Sequence, residues 1–500
     1  MSRAALDVDL LVLGGGFSGS LLALVASRLG LSVALIEKAK HPRFALGESS
    51  TPVADLVLAG LARRYDLPRL LPLSKYGTWK SERPEIGCGP KRGFSYLKHE
   101  VGATFRPRAD RANELLVAAN PDLERADTHW LRADVDAFLF GEAKEAGVHA
   151  FEETMAATIE GESPWTVEAF SGSKAVRLRA AAIVDASGEG RVLARLFGIA
   201  DEGASMRTHS RLLYSHFRGV APFGEVYAEA GGDPRPHPFP IDDAALHHVF
   251  DGGWMYVLRF DDGRTSAGFS LDPQIHPEVS GLSPAEEWAR QLGRFPSIAR
   301  QFEGAAAILP IRRTERLQRR MAVAAGPGWA ALPACAGIID ALYSTGNAHT
   351  LVGIERLATI LDSTGPGAER DRRFAAYGKT VLDEIAFIDR LVAASWSNFR
   401  RFDRFTSVSM LYFAASIASE HRRMQGTFES SDGFLMAGHP SFRGRIDRAL
   451  DDLLALGTLP PEAAFERWKD SVAAAVRQDD IAGLCDPAKL NLYPYEMKGA

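Results

Sequence analysis

The feature that most constrains this chain is a glycine cluster between a short apolar run and a helix-like segment. The apolar run at 8–13 predicts a buried strand, and leucines and alanines at helical spacing over 19–29 predict a helix. The segment LSVALIE at 31–37 predicts a second strand. A strand–helix–strand unit of about 30 residues has the size of a βαβ motif. The pattern therefore predicts an α/β fold that begins with a Rossmann-type unit.

The glycine cluster fits the pattern G-x-G-x-x-G of dinucleotide-binding proteins. Its glycines permit a tight turn, let the backbone approach a pyrophosphate, and allow the helix to pack closely on the strand. The amino terminus of that helix offers free N–H groups and a partial positive charge to phosphates. An acidic residue closes the second strand, where a carboxylate can bind ribose hydroxyls. We therefore expect a dinucleotide to be held by Gly14, Gly16, Phe17, Ser18, Gly19, Glu37 and Lys38.

Composition excludes several other classes of protein. The 500 residues exceed what one hydrophobic core usually organises, so two or three subdomains are expected. The net charge is −5 and no basic block is present, which argues against a nucleic-acid partner. The apolar run at Leu10–Leu13 is too short to span a bilayer, and Asp7 and Asp9 interrupt any resemblance to a secretory signal. Three isolated cysteines favour a reducing, cytoplasmic location, and we expect no membrane association.

Three later segments distinguish FAD from NAD. The first, HPRFALGESSTP, follows the acid of the second strand directly. The second, WLR at 130–132, opens a predicted helix at 133–146. The third is GIID at 337–340, after a predicted short apolar strand within ALPACAGIID. A further strand-to-turn segment, IVDASG at 183–188, is of the kind that lies beside the adenosine.

Together these segments resemble the flavoprotein monooxygenase superfamily with a para-hydroxybenzoate-hydroxylase-like fold, over most of residues 1–375. The resemblance implies FAD, with Arg132 near the flavin phosphates or the ribityl chain and Asp340 on the ribityl chain. Only one dinucleotide fingerprint is present, so no separate nicotinamide domain is expected. The further FAD-binding residues that the resemblance implies are Arg43, Glu48, Ser49 and Gly346.

Within that superfamily the chain most resembles the flavin-dependent halogenases, in particular the phenol-type branch. Five segments carry the resemblance: PRFALGESSTP at 42–52, CGPKRGFS at 88–95, LHHVFDGGW at 246–254, GIIDALYSTG at 337–346, and the aromatic residues Trp396, Phe399 and Phe402 of the helical carboxy-terminal part. In the family, the last of these covers the substrate cavity.

This resemblance implies a two-component enzyme that receives reduced FAD (FADH2) from a separate flavin reductase. Dioxygen and a halide, chloride or bromide, would then yield hypohalous acid. Backbone N–H groups of Thr345 and Gly346 would hold the halide, since such a turn presents donors to an anion. Lys91 would deliver electrophilic halogen to an electron-rich phenolic or heteroaromatic substrate, free or tethered to a carrier protein. His247 or its neighbour would act as a base on the phenol, because imidazole titrates near neutrality.

The chain departs from the halogenase pattern at several positions. The family signature W-x-W-x-I-P appears as WMYVLR, in which Tyr256 and Arg259 replace the second tryptophan and the proline. Trp254 survives, and we expect it to be the third catalytic residue, with Lys91 and His247. Ala341 replaces the proline after the acid of GIID. Tyr343 stands where the tryptophan-halogenating branch has a glutamate, which makes free tryptophan an unsuitable substrate.

Two alternatives to halogenation therefore stay open. One is an aromatic hydroxylase or other redox flavoenzyme on the same scaffold, which the altered tryptophan signature favours. The other is a non-catalytic flavin-holding or carrier-interacting protein, which the complete set of cofactor segments disfavours. The histidines lack metal-ligand spacing, so no metal is expected.

The overall prediction is a Rossmann-type FAD-binding domain with an inserted β-sheet substrate domain and a helical carboxy-terminal region. Residues 76–128 are expected to be mostly irregular, with a few strands, and residues 205–275 to be strand-rich. The FAD-binding domain is predicted to comprise residues 1–75, 120–200 and 310–375, the substrate domain residues 76–119 and 201–309, and the helical region residues 376–500. The predicted carboxy-terminal helices are at 374–397, 405–424, 446–456 and 461–477.

Overall fold

The computed structural model of the protein describes residues 5–457 and 461–496. Residues 1–4 of the predicted FAD-binding domain, which also begin the segment compared with a secretory signal, lie outside the described residues. Residues 458–460 and 497–500 of the predicted helical region lie outside them as well. The elements up to residue 185 are β1 (Leu6–Leu13), α1 (Phe17–Arg28), β2 (Val33–Ile36), α2 (Pro52–Arg64), α3 (Tyr76–Glu82), β3 (Cys88–Lys91), β4 (Gly93–Lys98), β5 (Glu114–Ala118), β6 (Asp127–Trp130), α4 (Arg132–Glu145), β7 (His149–Phe151), β8 (Met155–Glu160), β9 (Trp165–Ser171) and β10 (Lys174–Asp185).

The remaining elements follow in chain order. Those up to residue 338 are α5 (Val192–Leu196), β11 (Arg211–Arg218), α6 (Phe223–Glu229), β12 (Ala245–Phe250), β13 (Gly253–Arg259), β14 (Arg264–Leu271), α7 (Pro284–Gly293), α8 (Pro296–Gln301), β15 (Ala306–Ala307), β16 (Arg312–Arg313), β17 (Arg319–Arg320), β18 (Ala325–Gly326), β19 (Trp329–Ala331), α9 (Pro333–Ala336) and β20 (Gly337–Ile338). The last are α10 (Thr345–Ser363), α11 (Ala368–Trp396), α12 (Phe402–Met424), α13 (Pro440–Leu456), α14 (Glu462–Val476) and β21 (Leu492–Tyr493). Short 3-10 segments occur at Pro68–Ser74, Gly188–Gly190, Gly203–Ser205, Ser430–Asp432, Phe434–Met436 and Pro487–Lys489.

An eight-stranded sheet contains the predicted βαβ unit. Its main order is β18-β19-β10-β1-β2-β7, and β1 pairs in parallel with both β2 and β10. The inner part of β1 is buried on both faces, as expected for a strand covered by helices on each side. The carboxyl ends of β1 and β10 therefore open at the same edge of the sheet, where α/β proteins bind their ligands. The predicted α/β class with a Rossmann-type unit is confirmed.

The glycine turn after β1 lets α1 pack directly against the strand end. A Cβ on Gly19 would lie 1.8 Å from the carbonyl oxygen of Gly14. Gly14 itself has a φ of +105°, and a Cβ there would lie 2.6 Å from the carbonyl oxygen of Ala186. Only glycine fits both positions, because the backbones approach too closely for a side chain.

A nine-stranded sheet forms the second layer, in the main order β15-β11-β14-β13-β12-β4-β5-β21. Most neighbours are antiparallel, whereas β12 and β4 are parallel. Turns at 251–252 and 261–263 join β12 to β13 and β13 to β14. Strands β3 and β6 form a separate two-stranded ribbon, and Lys91 is the last residue of β3.

The carboxy-terminal helices belong to the same hydrophobic core as the nucleotide-binding sheet. Buried side chains of α11 and α12, such as Phe374 and Phe405, form one contiguous cluster with those of β1 and α1. A second cluster lies beneath the other face of the nine-stranded sheet. The domain boundaries given above stay a prediction.

Some predicted elements differ from the structure. The segment ALPACAGIID is not one strand, since Pro333 starts the one-turn helix α9 and only two residues of β20 follow. Proline suits the first turn of a helix because its missing N–H group would be unpaired there. Residues 76–128 contain one helix and parts of four strands, which is more order than their composition suggests.

No helix in the described ranges is long and apolar enough to cross a membrane. Cys88, Cys335 and Cys485 are all free thiols.

Candidate active site

A cavity of about 750 Å³ opens at the carboxyl ends of β1 and β10. It collects side chains from distant parts of the sequence. Fifteen predicted site residues line it: Gly14, Gly16, Phe17, Ser18, Glu37, Lys38, Arg43, Glu48, Ser49, Arg132, His247, Trp254, Asp340, Thr345 and Gly346. The two predicted residues outside its lining are Gly19, which packs α1 on the strand, and Lys91, which is discussed below.

The amino terminus of α1 faces this cavity and forms the phosphate end of the predicted site. A Cβ on Gly16 would come within 3.2 Å of Nη2 of Arg43. The N–H of Phe17 donates to Oδ1 of Asp136 at 3.1 Å, and the guanidinium of Arg132 binds both oxygens of the same carboxylate at 2.8 and 3.0 Å. Two arginines and a helix amino terminus thus converge on a glycine-lined wall, which fits a pyrophosphate.

Glu37 is held rigidly at the end of β2. Its Oε2 accepts hydrogen bonds from the N–H of Gly15 at 2.8 Å and from Nη2 of Arg43 at 3.0 Å. Its Oε1 accepts from the N–H of Ala39 at 2.9 Å. The carboxylate lines the cavity beside the glycine turn, in the position where an acid binds the ribose of a dinucleotide.

Arg132 and Glu48 tie the GESSTP segment to the cavity wall. Arg132 donates from Nη1 to the carbonyl oxygens of Leu46 and Gly47, at 2.6 and 3.2 Å. The carboxylate of Glu48 lies 2.8 Å from Nε2 of His216 on β11, so its side chain is held by the nine-stranded sheet. These contacts orient the backbone of the segment along the length of the cavity.

Asp340 closes the far end. Ser210 and Ser270 donate hydroxyl hydrogen bonds to its Oδ2 at 3.3 and 3.0 Å, and the N–H of Leu342 donates to Oδ1 at 2.9 Å. Burial raises the pKa of Asp340 to about 6, against the effect of these donors. The carboxyl group of Asp340 therefore gains its charge at a pH only slightly below neutral.

The residues Ser344, Thr345 and Gly346, where the sequence suggested a turn, form the start of a helix. Ser344 has left-handed backbone angles, with φ 53° and ψ 32°, and α10 begins at Thr345. The first N–H groups of a helix have no partner within it, so those of Thr345 and Gly346 are available to an anion. The sparsely populated conformation of Ser344 aims this helix end at the cavity.

His247 and Trp254 lie side by side in the wall of the cavity. Their ring centroids are 5.0 Å apart. Burial lowers the pKa of His247 to about 3, so the imidazole is neutral at physiological pH. His248 points to the opposite face, where its ring contacts His99 and Gln301 at 2.9 Å each. Alternation along β12 therefore brings only one of the two adjacent histidines to the cavity, as expected.

Tyr256 replaces the second tryptophan of the family signature and also lines the cavity. It lies two residues after Trp254 on β13, so both side chains project from the same face. The aromatic lining of this wall is thus retained although one residue type differs.

Lys91 lies one aromatic ring away from the cavity. Its Nζ is 4.1 Å from the ring centroid of Phe94, which stacks on His247 at 6.0 Å. The amine is completely buried and donates to the carbonyl oxygen of Ser50. Burial lowers the pKa of Lys91 to about 8. The three predicted catalytic side chains are therefore brought together, in the order Trp254, His247 and Lys91.

Two groups near Lys91 were not found by sequence reasoning. Asp55 on α2 and Asp127 on β6 are both fully buried beside it. Neither lies in a motif, and nothing in the spacing of the two acids indicates that they meet. The predicted aromatic residues Trp396, Phe399 and Phe402 lie from the end of α11 to the start of α12. Phe399 and Phe402 contact the ring of Phe405, whose centroid is 5.3 Å from that of Tyr96.

Across the described ranges, no group of three or more His, Cys, Asp or Glu side chains is arranged to hold a metal ion.

Comparison with known proteins identifies the class. No family model matches the chain. The tetracycline 7-halogenase of Kitasatospora aureofaciens is 29% identical over 425 residues, which cover 83% of this chain and 74% of that protein. The monodechloroaminopyrrolnitrin halogenase PrnC of Pseudomonas fluorescens is 28% identical over 465 residues, 90% of this chain and 79% of that protein.

The fold is also that of a solved halogenase. The crystal structure of halogenase PltM in complex with phloroglucinol and FAD superposes with a TM-score of 0.86. The two chains are 22% identical, and the match covers 97% of this chain and 99% of PltM.

The fold and the glycine-lined cavity define an FAD-dependent oxidoreductase with a single dinucleotide-binding unit. Within that class, the similarity to named halogenases over most of the chain supports the flavin-dependent halogenase family. The predicted family and cofactor are therefore confirmed.

Proposed function

We propose that the protein uses reduced FAD, dioxygen and chloride or bromide to halogenate an electron-rich phenolic or heteroaromatic compound. The observation that carries this proposal is the buried amine of Lys91, held on Phe94 one ring away from the cavity wall at His247. A buried amine with a pKa near neutrality can switch between proton donor and free base, which a solvated lysine does rarely.

The residues of the cavity fit FAD. Gly14, Gly16 and the start of α1 would hold the pyrophosphate, Glu37 the ribose of the adenosine, and Arg132 and Asp340 the flavin half. Bound there in its reduced form, the cofactor would supply the redox chemistry by which dioxygen oxidises a halide to hypohalous acid.

The amino terminus of α10 would hold the halide. Thr345 and Gly346 present the free N–H groups of a 19-residue helix, whose partial positive charge favours an anion. Both residues line the same cavity as the glycine turn, so the halide would lie inside the FAD-binding site.

Lys91 and His247 would act on the other side of the aromatic wall. The ammonium of Lys91 can donate a hydrogen bond to hypohalous acid and so direct its halogen to an aromatic ring. His247 contacts the carbonyl oxygen of Ser95 through Nδ1 at 3.3 Å, which assigns the proton to Nδ1 and leaves Nε2 as an acceptor. A neutral imidazole of this kind can accept a hydrogen bond from the hydroxyl of a phenol, whereas its lowered pKa makes it a weak base. Trp254 and Tyr256 would keep the substrate apart from the cofactor.

The partners follow from the same proposal. With one dinucleotide fingerprint, the protein would receive reduced FAD from a separate flavin reductase, in the cytoplasm. Its substrate would be a small aromatic compound, either free or tethered to a carrier protein.

The test combines the purified protein with FAD, a flavin reductase with NADH, oxygen, and either bromide or chloride. Simple phenols serve as substrates, and products are identified by mass. We expect monohalogenated phenol that depends on the halide. Hydroxylated product alone, or consumption of NADPH stimulated by substrate without a reductase, would contradict halogenation and support the hydroxylase.

A variant of Lys91 separates its role from that of the scaffold. Lys91→Met should abolish halogenation while FAD binding stays within about twofold of the original. Lys98→Met is the matched control, because Lys98 on β4 is also a buried lysine. Its Nζ donates a 2.9 Å hydrogen bond to the carbonyl oxygen of Phe399, and not to the carbonyl of Ser50 that Lys91 binds. Equal loss of halogenation in both variants would show that Lys91 has no special role.

A further inference from the structure

Lys91 and Asp127 are directly opposite each other in a two-stranded ribbon. The register of β3 with β6 pairs Lys91 with Asp127, Pro90 with Thr128, and Gly89 with His129. Side chains directly opposite in an antiparallel pair leave the ribbon on the same face, with Cβ atoms about 5 Å apart. The carboxylate of Asp127 is therefore held on the same face as the amine of Lys91, whatever rotamers the two side chains adopt.

The carboxylate of Asp127 has no hydrogen bond of ordinary geometry among the described residues, and its nearest polar neighbours are Asp55 and Lys75. Both of its oxygens are completely buried and accept no hydrogen bond. A buried ionised carboxylate without donors is costly and persists only beside a cation. One cation is Lys75, whose Nζ is 3.7 Å from Oδ1, at the separation of an ion pair.

Asp55 joins the same cluster from α2. Lys75 donates from Nζ to its Oδ2 at 3.2 Å, and the hydroxyl of Ser50 donates to its Oδ1. The carbonyl of the same serine accepts the hydrogen bond of Lys91. Ser50 therefore connects the amine of Lys91 to the acidic pair through a single residue.

The charges of the cluster are unequal. Burial raises the pKa of Asp55 well above its ordinary value, and the neighbouring charge of Asp127 adds to this. Burial also raises the pKa of Asp127, whereas Lys75 and Lys91 oppose that effect. Asp55 therefore holds a proton more readily, and Asp127 carries the negative charge that faces Lys91.

The other titratable groups around Lys91 do not supply this charge. Glu420 on α12 lies at the edge of the cluster, and burial, together with Asp127, raises its pKa to about 8, so it is largely protonated at neutral pH. His129 and His247 are buried, and their pKa values are lowered to about 3, mainly by burial and further by the charge of Lys91, against backbone hydrogen bonds that raise them. Both histidines are therefore neutral.

We propose that Asp127, supported by Lys75 and Asp55, is the positioning residue that keeps the buried amine of Lys91 protonated at neutral pH. Burial alone would drive this amine towards its neutral form, and Asp127 is the largest electrostatic contribution that opposes burial. Lys75, about one third exposed, stabilises the negative charge of Asp127 and links the acidic pair to solvent. The inference rests on the proposed function, since it assigns a partner to the lysine that would handle hypohalous acid.

The experiment titrates Lys91 directly. Protein with 13C- and 15N-labelled lysine is followed by NMR of the side-chain Cε and Nζ nuclei between pH 6 and 10, and the Lys91 signal is assigned by its loss in Lys91→Met. Asp127→Asn should lower the pH midpoint of Lys91 by at least about one unit, because one opposite charge at this range shifts a pKa by about 1–3 units. Asp127→Glu, which keeps the charge, should restore the midpoint at least in part.

Two further variants complete the test. Asp122→Asn removes an exposed acid that pairs with Arg125 and should leave the midpoint unchanged. Asp127→Ser also removes the charge of this acid, should shift the midpoint in the same direction, and serves as the second variant if Asp127→Asn does not fold. A midpoint within 0.3 units of the original (roughly twofold in proton affinity) in both neutral variants would overturn the inference.

The pH profile of halogenation separates this inference from the proposed function. A downward shift of its upper inflection in Asp127→Asn, equal to the shift in the NMR midpoint, would support both. If the original protein produced no halogenated product, the proposed function would fail while the NMR midpoint would still decide the role of Asp127.

Discussion

The hydroxyl of Ser344 donates a hydrogen bond to the hydroxyl of Ser49 at 3.0 Å, joining segments that are 295 residues apart in the sequence. This bond connects the GESSTP segment of the nucleotide-binding domain to the residue that precedes α10. Ser344 has left-handed backbone angles, so the bond helps to hold an unfavourable conformation at the place where the halide is proposed to bind.

Removing this bond should therefore weaken halide binding more than folding. Ser344→Ala is expected to raise the apparent KM for bromide severalfold, because the N–H groups of Thr345 and Gly346 lose their fixed direction. The stability loss should be about 1 kcal/mol, as for a single hydrogen bond. Steady-state kinetics at varied bromide, with thermal unfolding in parallel, measure both. Ser81→Ala, at an exposed helical serine, is the control, and an unchanged KM in Ser344→Ala would contradict the assignment.

Gly19→Ala should prevent FAD binding. A Cβ at this position would lie 1.8 Å from the carbonyl oxygen of Gly14, so α1 would have to move away from the strand and from the phosphates. Fluorescence titration with FAD measures the effect, and we expect at least a 100-fold loss of affinity. Gly60→Ala is the matched control, since Gly60 is also helical but has open space where a Cβ would be. That variant should bind FAD normally and be equally or slightly more stable.

Halogenation should depend on pH through Lys91. Its pKa is lowered to about 8 by burial, so the ammonium form is lost as the pH rises through that value. If the ammonium donates a hydrogen bond to hypohalous acid, kcat/KM should be constant below about pH 7 and fall above pH 8. Rates at saturating reduced FAD between pH 6 and 9.5 measure this. A rate that rises above pH 8 would instead show that the free amine reacts.

Asp340 should make stability depend on pH near its titration. The pKa of this acid in the folded protein is about 6, above its ordinary 3.8, so the folded state favours the protonated form. Stability is therefore lost as the pH rises from about 4 to about 6, by up to about 3 kcal/mol at full effect, and it stays lower above pH 6. Asp340→Asn should remove this cost, because the hydroxyls of Ser210 and Ser270 can turn to accept hydrogen bonds.

Thermal unfolding without FAD at pH 5 and pH 8 checks this prediction. The variant should gain stability relative to the original at pH 8, and the gain should shrink towards pH 5. If Asp340→Asn were less stable than the original protein by the same amount at pH 5 and pH 8, the ionisation of Asp340 would not affect stability. The loss would then come from its hydrogen bonds.

The sequence by itself determined the parts of the protein that are local in the chain. The βαβ unit, its glycine turn and the acid at its end could be predicted because periodicity and turn chemistry depend on neighbouring residues. Four carboxy-terminal helices were predicted for the same reason. Helix α10 was missed because it is buried over most of its surface, and a buried helix lacks the polar face that reveals helical spacing.

Only the tertiary structure decided the surroundings of the catalytic side chains. His247 and His248 are equivalent in sequence, and the pairing of β12 in the sheet selects the one that faces the cavity. Lys91 looks like a solvated lysine in a Gly- and Pro-rich stretch, yet it is completely buried. Asp127 becomes its neighbour only through the register of β3 with β6. Burial and contact between distant segments set the charge of these groups, and neither is written in the local order of residues.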